Sequence, residues 1–247
     1  SGAAADSGQS SADSGQSSAV AGQRSPEKGR INYTVWSDVF VCPDCGGEIV
    51  FWEAAVDKEA GKVRDSFACT HCGATQTKRR LERAWRTCYD SAIEQTIKQA
   101  KQVPVLINYS LGKKRYEKVP DADDLALIAR IEQSEIPYWF PTERMPEGDE
   151  SRRNDDIGLT HAHHFYTKRN LWITASLQHH IMRMHSKHLQ NRLLFLWQSL
   201  VLGYTRLNRY GATHFSQVNR MLSGTLYVSS LVSEISMRYA FDGRLQR

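Results

Sequence analysis

The chain has 247 residues, of which 40% are hydrophobic and 10% are aromatic, and its formal net charge is +5. This length and composition are sufficient for one or two domains with an apolar core. No apolar run approaches the roughly 18 residues that a membrane span requires, and no secretory signal is present. We therefore expect a cytoplasmic protein that has no membrane partner.

The positive charge is concentrated in the C-terminal third of the chain. Residues 152–247 hold 13 basic and 4 acidic side chains, whereas residues 31–151 hold 16 basic and 20 acidic ones. A basic region of this kind is typical of proteins that contact phosphate groups. The same charges also occur on solvated helix faces, so charge alone leaves both interpretations open.

The first predicted segment, residues 1–30, is a disordered low-complexity tail. Residues 5–11 (ADSGQSS) are repeated without change at 12–18, and large apolar side chains are almost absent. Such a segment buries too little apolar surface to offset the entropy lost on ordering.

The second segment, residues 31–77, is predicted to be a small β subdomain. Strands are expected at 31–41, 48–56 and 63–68, and two short turns that each contain a Cys-x-x-Cys pair separate them. The order of strand, turn, hairpin and turn is typical of a zinc ribbon. Its core is too small to be stable without a metal.

The remaining chain is predicted to be mixed and mainly helical, which makes the expected fold class α+β. In the connector 78–160, apolar spacing indicates a helix over 80–102. A β-hairpin over 103–119, a helix after Asp121 and a loop over 136–160 follow. In the basic region 161–247, helices are expected at 167–188 and 193–207, followed by a β-like stretch at 221–232.

Four cysteines form two matched pairs, Cys42 with Cys45 and Cys69 with Cys72, and a glycine follows each pair. Two residues between cysteines allow both thiolates of one turn to bind the same ion, and four sulfurs suit tetrahedral zinc. The alternatives are two disulfides or four free thiols. A reducing compartment disfavours the disulfides. A four-sulfur shell leaves no open position, so this Zn²⁺ is expected to be structural. Cys88 has no assigned role.

Two basic stretches are candidate nucleic-acid contacts. The first places an aromatic ring, two cations and an amide at a predicted helix N-terminus, where backbone N–H groups favour anions. The second is a short basic run that is suited to phosphate. The residues are Tyr166, Lys168, Arg169 and Asn170 in the first stretch, and Lys78, Arg79 and Arg80 in the second. An ordinary capped helix and a solvated surface are the alternatives.

A histidine cluster is a candidate for a second metal site. It consists of His161, His163 and His164. Its only nearby carboxylates in the sequence are Asp155 and Asp156. Packing, or contacts to phosphates or bases, is the favoured interpretation. The sequence contains neither a glycine-rich phosphate loop nor a G-x-S-x-G motif, so it shows no complete active site.

Several blocks together resemble the middle of large bacterial site-specific DNA methyltransferases, across about residues 31–240. The blocks are 33–40 (YTVWSDVF), 42–52 (CPDCGGEIVFW), 77–79 (TKR), 104–109 (PVLINY), 163–171 (HHFYTKRNL) and 223–227 (SGTLY). The combination of the cysteine block with HHFYTKRNL is the most specific part of the resemblance.

The resemblance implies a segment that lies between two motifs of a doubly wound catalytic domain. In that family a Pro-Phe-Cys-Gly-Ser-Gly-like motif binds S-adenosylmethionine, and an Asp-Pro-Pro-Phe/Tyr motif positions the target amino group. Neither motif occurs here, so no catalytic residue is assigned and the chain alone is expected to be inactive. DNA and the remaining methyltransferase segments are the implied partners. The alternatives are a separate nucleic-acid-binding zinc-ribbon module or a structural protein-interaction module.

Overall fold

The structure, a computed structural model, describes residues 28–245 apart from residue 215, together with the isolated Gly2. The predicted disordered tail therefore lies almost entirely outside the described residues. The fold is α+β, with 33% helix and 29% strand, which confirms the predicted class.

Twelve strands occur in the described part of the chain, and most of them are short. They are β1 (Arg30–Val41), β2 (Glu48–Val50), β3 (Val56–Asp57), β4 (Lys62–Val63), β5 (Ser66–Ala68), β6 (Thr75–Thr77), β7 (Glu82–Arg83), β8 (Trp85–Asp90), β9 (Gln95–Ala100), β10 (Gln102–Leu111), β11 (Lys114–Lys118) and β12 (Leu231–Ile235).

The described residues also form α-helices and short 3-10 turns. The helices are α1 (Phe51–Ala55), α2 (Ala122–Gln133), α3 (Asp149–Asp155), α4 (Lys168–Met182), α5 (Lys187–Val201) and α6 (Met237–Leu245). The 3-10 turns are Lys78–Arg80, Ala162–Phe165 and Leu202–Tyr204.

Strand β1 is the centre of the main antiparallel sheet, whose order is β11-β10-β1-β12. Its first part pairs with β10 on one side and with β12 on the other. Its last three residues pair instead with β2, and Phe40 and Val41 also pair with β7. One strand therefore runs continuously from the main sheet into the cysteine-containing region.

The core is packed around this strand. Val35, Ile49 and Ile235 are fully buried in the larger apolar cluster, which joins the sheet to α1 and to the Leu202–Tyr204 turn. A smaller cluster includes Phe165 and Val232 and covers the other part of β12. Because β1 and β12 have neighbours on both faces, their polar side chains must find partners inside the protein.

Three local predictions are confirmed. The hairpin predicted at 103–119 is β10–β11. Asp121 caps α2 in a reciprocal capping box with Asp124, as expected when a carboxylate lies three residues before another at a helix start. The helix predicted from residue 167 is α4, with the Thr167 hydroxyl accepting from the Asn170 N–H at 3.3 Å. The chain breaks at Arg183 before α5, which begins six residues earlier than predicted.

The helix predicted over 80–102 is wrong, because this segment forms the β8–β9 hairpin. Along β8, exposed and half-buried residues alternate, which is the period of a strand rather than of a helix. Leu81 and Ala84, which suggested helical spacing, are buried in extended chain before the hairpin. Aromatic and β-branched residues such as Trp85 and Thr87 favour this conformation.

Other element boundaries also differ from the prediction. The strand predicted at 48–56 stops at Val50, where α1 begins, and the one predicted at 63–68 is divided between β4 and β5. The loop predicted at 136–160 contains α3, and most of 221–232 has no regular structure before β12 begins at Leu231. Pairing of β12 with β1 is a long-range contact, which local sequence patterns do not encode.

Gly158 allows the chain after α3 to lie directly against β9. Its φ is +77°, and a Cβ there would overlap the carbonyl oxygen of Lys98 and lie 2.9 Å from the Cα of Gln99. We expect Gly158→Ala to lower the free energy of unfolding by more than about 2 kcal/mol, because the left-handed backbone and the overlap both cost energy. Urea denaturation measures this change.

Gly224→Ala is the matched control, since Gly224 has a φ of +73° but nothing within 4 Å of the position of a Cβ. In this variant the free energy of unfolding is expected to fall only by the cost of the left-handed backbone, about 1 kcal/mol. Equal losses in the two variants would contradict the close approach of Gly158 to β9.

Candidate functional site

The four predicted metal ligands converge at the end of β1. The Cys42–Cys45 turn connects β1 to β2, and the Cys69–Cys72 turn connects β5 to β6. All four Sγ atoms lie within 4.8 Å of one another. The Sγ atoms of Cys42 and Cys72 are 3.9 Å apart, as are those of Cys45 and Cys69. Zinc–sulfur bonds of about 2.3 Å in a tetrahedron place the sulfurs about 3.8 Å apart, so the cluster has the size of a metal centre.

The two cysteine turns have the same backbone hydrogen bonds. In the first, Gly46 N donates to Cys42 O at 2.8 Å, and in the second, Gly73 N donates to Cys69 O at 3.0 Å. Both glycines have a left-handed φ, +72° and +75°, which a side chain would make costly. The glycine after each pair therefore sets the turn that directs both sulfurs to one point.

Neighbouring donors favour the thiolate of one ligand, Cys69, whereas desolvation and the other sulfurs raise the pKa of Cys45 and of Cys72. His71 N donates to Cys69 Sγ at 3.4 Å, and Gln76 Nε2 donates to Cys42 Sγ at 3.6 Å. The backbone N–H groups of Cys72 and His71 lower the pKa of the Cys69 thiol to about 6. A thiolate is the form that binds metal, so the turn prepares this ligand for a cation.

Aromatic rings support the sulfur cluster from the side of the core. Phe51 contacts Phe40 and Phe67 edge-on, with ring centroids 5.6 and 5.9 Å apart. The ammonium group of Lys78 lies 5.4 Å from the centre of the Phe51 ring, and burial lowers the pKa of Lys78. Lys78 is therefore partly used in packing, whereas its neighbours Arg79 and Arg80 are exposed on the 3-10 turn that follows β6.

The structure uses Arg169 and Asn170 inside the protein. Asn170 is 1% exposed, and its amide donates to the backbone oxygens of Tyr204 and Ile235, both at 3.1 Å. Arg169 donates to both carboxylate oxygens of Glu234, at 3.0 and 2.7 Å. These two predicted DNA contacts therefore join α4 to β12.

Glu234 is buried and fully engaged with its surroundings. Thr167 Oγ1 and Trp36 Nε1 also donate to its carboxylate, at 2.6 and 2.7 Å. Burial opposes ionisation of Glu234, but the Arg169 guanidinium and these hydrogen bonds together hold the pKa of Glu234 below its usual value. The carboxylate is therefore ionised at neutral pH.

The other two residues of the same stretch, Tyr166 and Lys168, have a different position. They line a cavity of about 520 Å³ between the β8–β9 hairpin and the start of α4. Burial raises the pKa of the Tyr166 hydroxyl to about 12. The predicted contact patch is thus divided between the interior and a cavity wall.

The histidine cluster binds an aspartate that sequence proximity did not suggest. The Nε2 atoms of His163 and His164 both lie 2.8 Å from Asp90 Oδ2. Asp90 ends β8, more than 70 residues earlier, and the wrong helix prediction concealed its position. Asp155, which was considered as a ligand, pairs instead with Arg144 at 2.9 Å.

The hydrogen bonds of His164 fix its protonation. The backbone N–H groups of Thr160 and His161 donate to its Nδ1, at 3.2 and 3.3 Å, so the neutral ring carries its proton on Nε2. Burial lowers the pKa of His164 to about 4. Its Nε2 therefore donates to Asp90 and has no lone pair for a metal, although the three side chains are close enough for one.

Comparisons with known proteins give no match. No family model matches the chain, and no curated protein or solved structure matches it significantly. The similarity to DNA methyltransferases therefore stays a prediction. Among the described residues, the helices are all too short or too polar to cross a membrane.

Removing one sulfur should release the metal. Cys45 is exposed, so Cys45→Ser changes little packing. Its expected effects are loss of bound metal and a lower melting temperature, because the ion would connect the two cysteine turns. Metal content by mass spectrometry and thermal unfolding measure both.

Cys88→Ser is the control, because Cys88 is half-buried on β8 and lies outside the sulfur cluster. This variant should retain its metal. A Cys45→Ser protein with full metal content and unchanged melting temperature would refute the structural metal centre.

Breaking the buried ion pair should cost stability in a pH-dependent way. Glu234→Gln leaves Arg169 without its carboxylate, and we expect a loss of about 3 kcal/mol at pH 7. Because the folded-state pKa of Glu234 is lowered, its contribution is present above the usual glutamate pKa of about 4.3 and lost as the pH falls towards the lowered value. The difference between variant and wild type should therefore shrink in acid, as measured by urea unfolding at several pH values.

Asp242→Asn provides the comparison for an exposed pair. Asp242 contacts Arg30 at 3.0 Å, and both side chains are at least 40% exposed. Its removal should change stability by at most about 1 kcal/mol. If Glu234→Gln lowered the free energy of unfolding by as little as Asp242→Asn does, the buried ion pair would not be needed for stability.

Proposed function

We propose that this chain is a zinc-binding, DNA-contacting segment of an S-adenosylmethionine-dependent DNA amino-methyltransferase. The observation that carries the proposal is the four-sulfur centre at the end of β1, together with the motif blocks that surround it. S-adenosylmethionine and the catalytic motifs would be supplied by other segments, since this sequence contains neither motif. The proposed location is the cytoplasm.

The metal in this proposal is Zn²⁺ in a zinc ribbon, and its role is structural. Cys42, Cys45, Cys69 and Cys72 would hold the ion and close its coordination shell. A closed shell has no position for water or substrate. The ion would instead fix the two cysteine turns and the basic 3-10 turn that begins directly after β6.

The proposed DNA contact lies beside the metal centre. Arg79 and Arg80 are exposed on the 3-10 turn, and the closely packed Phe51 ring restrains Lys78 at its start. Arginine side chains on a rigid turn bind phosphate oxygens without reading base sequence. Asn170 and Arg169 would support this surface indirectly, because they connect α4 to the sheet.

A protein-interaction module is the second candidate. On α5 and just after it, Phe195 and Leu202 are 76% and 57% exposed, and a contiguous apolar patch on this helix would suit a protein partner. A separate nucleic-acid-binding zinc-ribbon module would share the metal and DNA predictions and differ only in having no catalytic partner.

The DNA proposal predicts a salt-dependent affinity that depends on the basic turn. We expect the wild-type chain to bind duplex DNA at low salt, with log K falling linearly as log salt concentration rises. Arg79→Gln/Arg80→Gln should reduce the steepness of this dependence by about two and weaken binding equally for all sequences. Fluorescence anisotropy over a salt series measures both.

Lys113→Gln/Lys114→Gln is the charge-matched control, since these residues are exposed at the β10–β11 turn. In this control variant, log K should fall with log salt concentration as steeply as it does in the wild type. Absence of binding at low salt would favour the protein-interaction module. Methyl transfer by the purified chain alone would refute the placement of the catalytic motifs outside this sequence.

A further inference from the structure

The cavity between the β8–β9 hairpin and the start of α4 combines cations with aromatic rings. Its volume is about 520 Å³. The cations that line it are Arg86, Lys168 and Arg206, and the aromatic side chains include Tyr89, Phe140 and Tyr166. It lies outside the sulfur cluster, and Asp90, His163 and His164 form another part of its wall.

Arg206 is the unusual member of this set. Its Nε atom is buried and has no hydrogen-bond partner among the described residues. Burial lowers the pKa of Arg206 to about 10, and the charged neighbour with the largest effect is Arg86, which has the same sign. The side chain as a whole is half-buried, and a partly buried guanidinium beside another cation is costly unless an anion balances it.

The N-terminal end of α4 borders the same cavity, since Lys168 and Leu171 are both on its wall. The first N–H groups of a helix have no acceptor within the helix, and the helix dipole adds partial positive charge there. The Thr167 hydroxyl caps only the N–H of Asn170. The helix end therefore adds to the positive potential that Arg206 and Arg86 create.

The carboxylates that line the cavity either have other hydrogen-bond or ion-pair partners or are exposed to solvent. Asp90 Oδ1 accepts from Ala92 N at 3.0 Å, and Oδ2 accepts from His163 and His164. Glu132 lies 3.9 Å from Arg86, and Glu135 is exposed. No carboxylate of the described residues forms an ion pair with Arg206.

We propose that this cavity binds a phosphate group, with Arg206, Arg86 and Lys168 as its ligands. The phosphate would belong to a nucleotide or to a nucleic-acid strand. Cations that approach from the hairpin, the helix start and the chain after α5 suit the oxygens of a tetrahedral anion, and an arginine can bind two of them at once. Tyr89, which is 66% exposed, and Phe140 provide surfaces on which a base would stack. The proposal does not rest on the proposed function.

The test uses inorganic phosphate and the full chain. Phosphate should raise the melting temperature more than sodium chloride of equal ionic strength does. Arg206→Met should lose this increase and bind phosphate about tenfold or more weakly in calorimetry. The same variant should melt about 2–4 °C higher than wild type without phosphate, because it removes a partly buried charge that has no ion-pair partner. A purely structural arginine would give the opposite sign.

Lys168→Met is a second variant that should weaken phosphate binding while it leaves the melting temperature without phosphate unchanged. Arg183→Met is the control, since Arg183 is exposed at the opposite end of α4, and it should bind phosphate as wild type does.

Displacement of phosphate by adenosine monophosphate would identify a free nucleotide as the source, and displacement only by an oligonucleotide would identify a strand. No phosphate-specific increase in wild type, or an undiminished one in Arg206→Met, would overturn the proposal.

Discussion

Strand β1 is the constraint on which the rest of the structure depends. Its backbone hydrogen bonds are shared among β10, β12, β2 and β7, so one segment of twelve residues fixes both the main sheet and the strands beside the sulfur cluster. The chain leaves β1 directly into Cys42, whose N–H donates to Gly47 O at 2.9 Å. The position of the sulfur cluster is therefore set by the sheet.

A second constraint is the distribution of buried charge. Glu234 on β12 is surrounded by donors from β1 and from the start of α4, so its ionised form is well compensated. Arg206, which is half-buried on the chain after α5, has no comparable partner among the described residues. The two residues show opposite uses of a buried ion. The first connects elements of the fold, whereas the second leaves positive potential at a cavity.

The metal centre and the cavity would have separate roles. In the proposed function the four sulfurs would saturate one ion, and their contribution would be to hold the basic turn with Arg79 and Arg80 in place. The cavity has volume, positive charge and aromatic surface, which a ligand requires. If both contact one nucleic acid, the exposed turn would add sequence-independent affinity, and the cavity would admit a single phosphate group.

The sequence by itself determined those features that depend on short-range chemistry. Cysteine spacing and the following glycines predicted the four-sulfur cluster, Asp121 and Thr167 predicted two helix starts, and the Leu111-Gly112 turn predicted a hairpin. Each of these depends on backbone geometry and hydrogen bonds within a few residues, which are encoded locally.

Tertiary structure alone decided the features that require distant partners. The segment 80–102 is a hairpin rather than a helix, and Asp90 meets His163 and His164. Asn170 is buried against the end of β12 rather than exposed to DNA. Which face of an element is covered, and by what, depends on packing between residues tens to more than a hundred positions apart. Local propensity is weaker than that packing. The sequence therefore predicted the basic stretch 166–170, but it did not predict which of its side chains are buried in the core and which line the cavity.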